Sequence, residues 1–195
     1  MKAPSQLKTL DDLMAQAGHY AEFCLRGSGS MPPTLFLIGV DGPMIFMPAS
    51  MADTSDKDDF AATARLVCIA HAASACVLAL EAWMKAAKPG EKLDTTEPPS
   101  EAIDRQEVIV LMGENRSGQQ QQFLPIIRSD NGKFFNLGES ETPLMDKMEG
   151  RFAQILSRKV PDPEMQTLAK TMLHVKGAKT TRLGMPRRPP RFGSE

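Results

Sequence analysis

Glu81 is the residue whose type and setting most invite chemistry. It lies inside the apolar run Ala75-Cys76-Val77-Leu78-Ala79-Leu80-Glu81-Ala82-Trp83-Met84. An acid buried in such a run is costly to ionise unless paired, so its pKa rises, and a carboxyl with a raised pKa can serve as a general acid or base. Asp104, Arg105 and Glu107 stand where a loop enters a second apolar segment. With Glu81 they would form a charged cluster at one end of a sheet. The structural alternative is an ion pair of Glu81 with Arg105 or Arg65, or a rim position facing water, with the other three pinning the loop. No histidine lies nearby in sequence to complete a catalytic or metal set, and the structural alternative is favoured.

Cys68, His71 and Cys76 also have ligand chemistry. Zinc wants four ligands, usually in paired short spacings, and a fourth is missing here. Cys68 and His71 are three apart on an expected helix, but no acid is marked to orient the histidine as the base of a nucleophile pair. Buried thiols among apolar neighbours act as small hydrophobes, so no metal and no cofactor is expected. The glycines at Gly27 and Gly29 are not followed by the Gly-Lys-Ser/Thr of a phosphate loop. No Gly-x-Ser-x-Gly, His-Glu-x-x-His or dinucleotide fingerprint occurs.

A third chemistry is ionic. Within 176–195, Lys176, Lys179, Arg182, Arg187, Arg188 and Arg191 outweigh Glu195 to give +5, leaving −6 on the rest of a chain whose formal net charge is −1. An acidic body with a basic tail points to a partner of opposite charge. Arg182, Arg187, Arg188 and Arg191 are the expected contact residues, on nucleic-acid phosphates or an acidic protein surface.

These residues must be held by a fold. A chain of 195 residues with 42% hydrophobic and 24% charged residues suits one domain with a real core. The expected division is a domain over 1–175, with a long acidic loop at 85–104, and a flexible basic tail over 176–195. No run approaches the ~20 apolar residues of a membrane span. Met1-Lys2-Ala3-Pro4-Ser5 leads into an amphipathic pattern rather than a secretion signal's apolar run, so no such signal is expected. Three cysteines and no such signal predict free thiols in a reducing, cytoplasmic setting. Thirteen methionines suit irregular cores and adaptable contact surfaces.

Leu7, Leu10, Leu13, Met14, Ala17 and Ala21 predict a helix over 5–24 with Ser5 as N-cap. Residues 26–33, rich in Gly, Ser and Pro, break it. Two apolar runs around Asp41-Gly42 predict a hairpin. Asp56, Asp58 and Asp59 open a helix running to about residue 73. For 75–84 periodicity cannot separate helix from strand, and a strand is preferred. Residues 105–112 read as a central strand, being apolar on both faces. Strands at 121–128 and 134–137 follow, separated by Asp130-Asn131-Gly132. Thr142-Pro143 and Asp162-Pro163 each open a helix. The first uses Leu144, Met145, Met148, Phe152, Ile155 and Leu156, and the second Met165, Leu168, Met172 and Leu173. Together these predict an α+β fold: one mixed or antiparallel sheet of about five strands with flanking helices, in a roadblock-like or profilin-like order.

Glu81-Ala82-Trp83-Met84, the Pro99-Ser100-Glu101 end of the acidic loop and Asp104-Arg105-Gln106-Glu107-Val108 together resemble, over about 66–112, a pattern in small uncharacterised bacterial proteins. The resemblance implies no activity and supports a strand at 76–84. The function favoured is a non-catalytic interaction protein: an adaptor, regulator or inhibitor of a larger bacterial assembly. It would have a protein partner and no membrane, and its composition also suits a homodimer. The alternatives are a nucleic-acid-associated protein working through the tail, and a small enzyme built on Glu81, Asp104, Arg105 and Glu107.

Overall fold

The computed structural model describes residues 7–85, 101–103, 105–140 and 150–183. They form an α+β fold with three helices and one antiparallel sheet. In chain order these are α1 (Leu10–Ser28), β1 (Thr34–Gly39), β2 (Gly42–Phe46), α2 (Thr54–Ala70), β3 (Ala75–Met84), β4 (Gln106–Asn115), β5 (Gln119–Arg128), β6 (Phe134–Leu137), α3 (Pro163–Val175) and β7 (Thr180–Arg182). The seven strands run β6-β5-β4-β3-β1-β2-β7. About five were expected; β6 is short, and β7 lies in the segment read as tail. The likeness to roadblock and profilin folds rested on element order, and the strand order does not establish it.

β3 is a strand, as preferred, and pairs along its full length with β4, from Ala75↔Asn115 to Met84↔Gln106. β4 is central, with β5 on its other side. Alternation then sorts the side chains onto two faces. Phe36, Val77, Ala79, Ile109, Leu111 and Ile126 join α1 in one core. Leu35, Leu37, Cys76 and Leu78 join α2, α3 and Ile155–Leu156 in the other.

α1 is set down on its face by its apolar stripe. Leu10, Leu13, Met14, Ala17, Ala21, Cys24 and Leu25 are all buried. The helix starts later than expected, at a Thr9–Asp12 capping box; Ser5 falls outside the described residues. It also runs on to Ser28, where Gly29 at φ +77° supplies the left-handed C-cap. Gly113 lets α1 approach β4 closely. A Cβ there would sit 2.8 Å from Met14 Sδ.

On the opposite face, Asp53 caps α2 and Asp162 caps α3, with Pro163 in the first turn. The helix expected from Thr142 to Leu156 is not formed over its described part. Residues 141–149, with Leu144, Met145 and Met148, are outside the description. Residues 150–161 have no helix. Phe152, Ile155 and Leu156 still pack inward, but the backbone finds other partners. Arg65 donates to the carbonyls of Arg151 (2.9 Å), Ala153 (2.9 Å) and Gln154 (3.3 Å). Buried Glu114 accepts from the Leu156 N–H at 2.9 Å. Two side chains, Arg65 and Glu114, thus satisfy backbone groups of a segment that forms no helix of its own.

The flexible tail was expected from Lys176. Instead the chain turns at Gly177 (φ +66°) and pairs Thr180–Arg182 with Phe46–Met44. Short Thr-rich segments extend readily beside an open edge, and the apolar period that would have signalled β7 is too brief to read. Residues 184–195 are outside the described set.

Candidate functional site

The expected charged cluster exists in part. Glu81 and Trp83 on β3, Glu107 on β4 and Arg128 on β5 lie on the α1 face, at the sheet end just past the C-terminus of α1. Arg128 forms a fork with Glu107, Nε to Oε2 at 2.6 Å and Nη2 to Oε1 at 2.8 Å. It also donates to the Gly29 carbonyl at 3.3 Å. Glu81 accepts the backbone N–H of Met31. Arg105 stacks its guanidinium 4.4 Å from the Trp83 ring centre. Asp104 lies outside the described residues.

Of the four candidates Glu81, Asp104, Arg105 and Glu107, the structure places Glu81, Arg105 and Glu107 at one sheet end and adds Arg128, which the sequence did not mark. Its signal was available only through strand register, which puts the last residue of β5 diagonal to Glu107. Arg65, the other partner considered for Glu81, is on the far face, holding residues 151–154.

The electrostatics follow from this geometry. Burial pushes the Glu81 carboxyl above its ordinary range; the Met31 N–H opposes this, Glu107 adds to it, and Arg128 opposes it. The arrangement holds the turn Gly29–Met31 against the sheet. Glu81 fixes the Met31 amide and Arg128 fixes the Gly29 carbonyl, so both acids are committed to groups of the chain itself.

The three thiols are free and buried. Cys76 is held well above the usual thiol range, first by its hydrogen bond with Cys68 and then by burial. Burial likewise raises Cys24. A thiol so protonated is a poor nucleophile. His71 Nε2 lies 3.3 Å from Thr180 Oγ1, and burial lowers its pKa. Among the described residues, no group of three or more His, Cys, Asp or Glu side chains is placed to hold a metal ion.

Two surface features remain. An open cleft of about 800 Å³ lies between the end of β2, the start of α2 and the α3–β7 turn. Phe46 and Phe60 form its floor, and Asp56, Asp59, Lys176 and Lys179 its rim. Asp59 already bonds Thr63 and Lys176, and Asp56 bonds Ser50 and the Ala52 amide. The rim is thus largely self-satisfied.

The other is α3. Only Ala169 and Leu173 are buried. Met165 (46%), Leu168 (62%), Met172 (43%) and Val175 (81%) stand exposed in a row, with Val160 exposed just before the helix. The sequence marked Met165, Leu168, Met172 and Leu173 as the apolar residues of this helix; the structure buries Leu173 and turns the other three outward. Of the tail residues, Arg182 sits exposed on β7 opposite Met44, and Arg187, Arg188 and Arg191 are outside the described residues. No described helix is long and apolar enough to cross a membrane.

Neither a protein-family model, nor a curated protein, nor a solved structure matches this chain.

Proposed function

We propose that this chain is a non-catalytic interaction protein, acting by contact as an adaptor, regulator or inhibitor within a larger assembly. The bacterial setting of that assembly rests on the local resemblance over 66–112. The observation that supports the reading is the apolar row on α3. Four large hydrophobic side chains at helical spacing, left in solvent on an ordered helix, carry a standing cost that contact with a partner would relieve. The committed state of Glu81 and Glu107 points the same way, because neither is left waiting for a substrate.

The test is affinity capture from the native cell with the full chain and with Leu168→Glu, read by mass spectrometry. A protein recovered by the parent and lost with the variant is the expected result. Identical recoveries would contradict a role for α3. Nucleic acid alone, recovered equally by both, would move the function to the basic tail.

A further inference from the structure

The exposed row on α3 is ordered in a way that names its occupant. Met165, Leu168, Met172 and Val175 are spaced three, four and three apart. These are consecutive a and d positions of a heptad, the seam of a two-helix coiled coil. At about 100° per residue the four lie within an arc of ~80°. Ala169 and Leu173 occupy the adjoining arc and face α2. The fold covers one half of the apolar arc and leaves the other as a bare seam.

Two properties of the seam make it fit itself. Its spacing is palindromic, so a two-fold axis between Leu168 and Met172 sets Met165 against Val175 and Leu168 against Met172 of a second copy. Its charges are also polarised. Asp162 and Glu164 stand at the N-terminal end of α3, and His174 and Lys176 at the C-terminal end. An antiparallel pair brings each acidic end to the basic end of the other copy and opposes the two helix dipoles, whereas a parallel pair would set Glu164 against Glu164. Lys176 also bonds Asp59 in its own chain, leaving Glu164, for which the described residues show no ion pair, as the freer partner. Lys170 lies off the seam, on the side toward His71, and adds no like-charge contact at the axis.

We infer that α3 is a self-association surface: two copies of this chain pair antiparallel through Met165, Leu168, Met172 and Val175. This rests on α3 being the contact surface and adds what it contacts. A single helix pair buries less than the ~800 Å² per partner of a stable interface. The dimer is therefore concentration-dependent, with a Kd of roughly 10–500 µM.

Sedimentation velocity of the purified full chain, over about 5 µM to 1 mM, should show a monomer giving way to a dimer. Leu168→Glu should remain monomeric with an unchanged thermal transition, since Leu168 contributes no core packing. Orientation is read by mixing Met165→Cys with Val175→Cys under mild oxidation. Antiparallel pairing joins the two variants to each other at least fivefold faster than either joins itself, and the native cysteines, all buried, do not compete. A monomer throughout that range overturns self-association. If Leu168-dependent capture from cells persists in that case, α3 is still a contact surface but for a different protein. Faster self-joining of each variant overturns the antiparallel arrangement. Labelling of Met165→Cys in the monomer that rises on truncation after Leu183 would also overturn the inference, assigning the seam to the chain's own last residues.

Discussion

α1 and α3 are both amphipathic helices, each with a capping aspartate or threonine and an acidic first turn, yet the fold treats them differently. α1 lies across a wide sheet face, against β3, β4, β1 and β6, and seven of its side chains are buried. α3 rests mainly on α2, a narrow support; only two of its side chains are buried, and its longest apolar ones face solvent. A helix on a sheet can bury an arc of well over 100°, while a helix on one other helix buries a stripe. The uncovered arc of α3 is thus a consequence of where the helix sits, and its hydrophobic content exceeds what that seat can use.

The largest test of this contrast is truncation on each helix. Leu13→Ala in α1 should cost about 2–5 kcal/mol in denaturant unfolding. Leu168→Ala in α3 should stay within about 0.5 kcal/mol for the monomer. Equal losses would mean that α3 is packed after all. Next comes Gly113→Val, which should cost about 1–3 kcal/mol by lifting α1 from β4 at Met14; an unchanged midpoint would show that α1 does not need that close approach.

On the α2 face, Glu114→Ala should cost about 1–3 kcal/mol. It should also speed amide exchange over 150–156, because the Leu156 N–H loses its acceptor. Slow exchange there would show that Phe152 and Ile155 hold the segment alone.

Glu81 distinguishes a latch from a reactive acid. Burial raises its folded-state pKa, so ionisation favours the unfolded chain. The stability this group supplies is complete below its ordinary range and is lost as pH rises through the raised value. Glu81→Gln keeps an acceptor for the Met31 amide and removes the ionisation. It should melt no lower than the parent at pH 7, with the difference closing below about pH 4.3. Glu81→Ala, which leaves the amide unpaired, should melt lower at both values. A Gln variant that is less stable at pH 7 would show that the charge itself is needed.

Much of the architecture was legible because local rules and tertiary context agreed. The α1 stripe, the Asp41-Gly42 hairpin, the strand at β3, central β4 and the Asp162-Pro163 start of α3 all appear where side-chain pattern and turn chemistry point. The misreadings came where long-range partners decide. The apolar spacing of Phe152, Ile155 and Leu156 suits a helix, but Arg65 and Glu114, distant in sequence, take over the backbone bonds of 150–156. β7 forms because β2 offers an open edge. Glu81 and Glu107 were visible as candidates, but that Arg128 and the Gly29–Met31 backbone occupy them depends on register. Met165, Leu168, Met172 and Leu173 were legible as apolar positions, but only Leu173 is covered: periodicity reports an apolar face and not whether the same chain covers it.

The most direct measurement uses methionine as its own reporter. Met165 and Met172 lie on the α3 seam, whereas Met14 and Met31 are buried with α1. Methyl NMR of the ε-labelled full chain, followed through a dilution series, should show the Met165 and Met172 signals moving with concentration while Met14 and Met31 stay still. If no methionine signal changes with concentration, or if those of Met14 and Met31 change equally, two copies of this chain do not pair through α3.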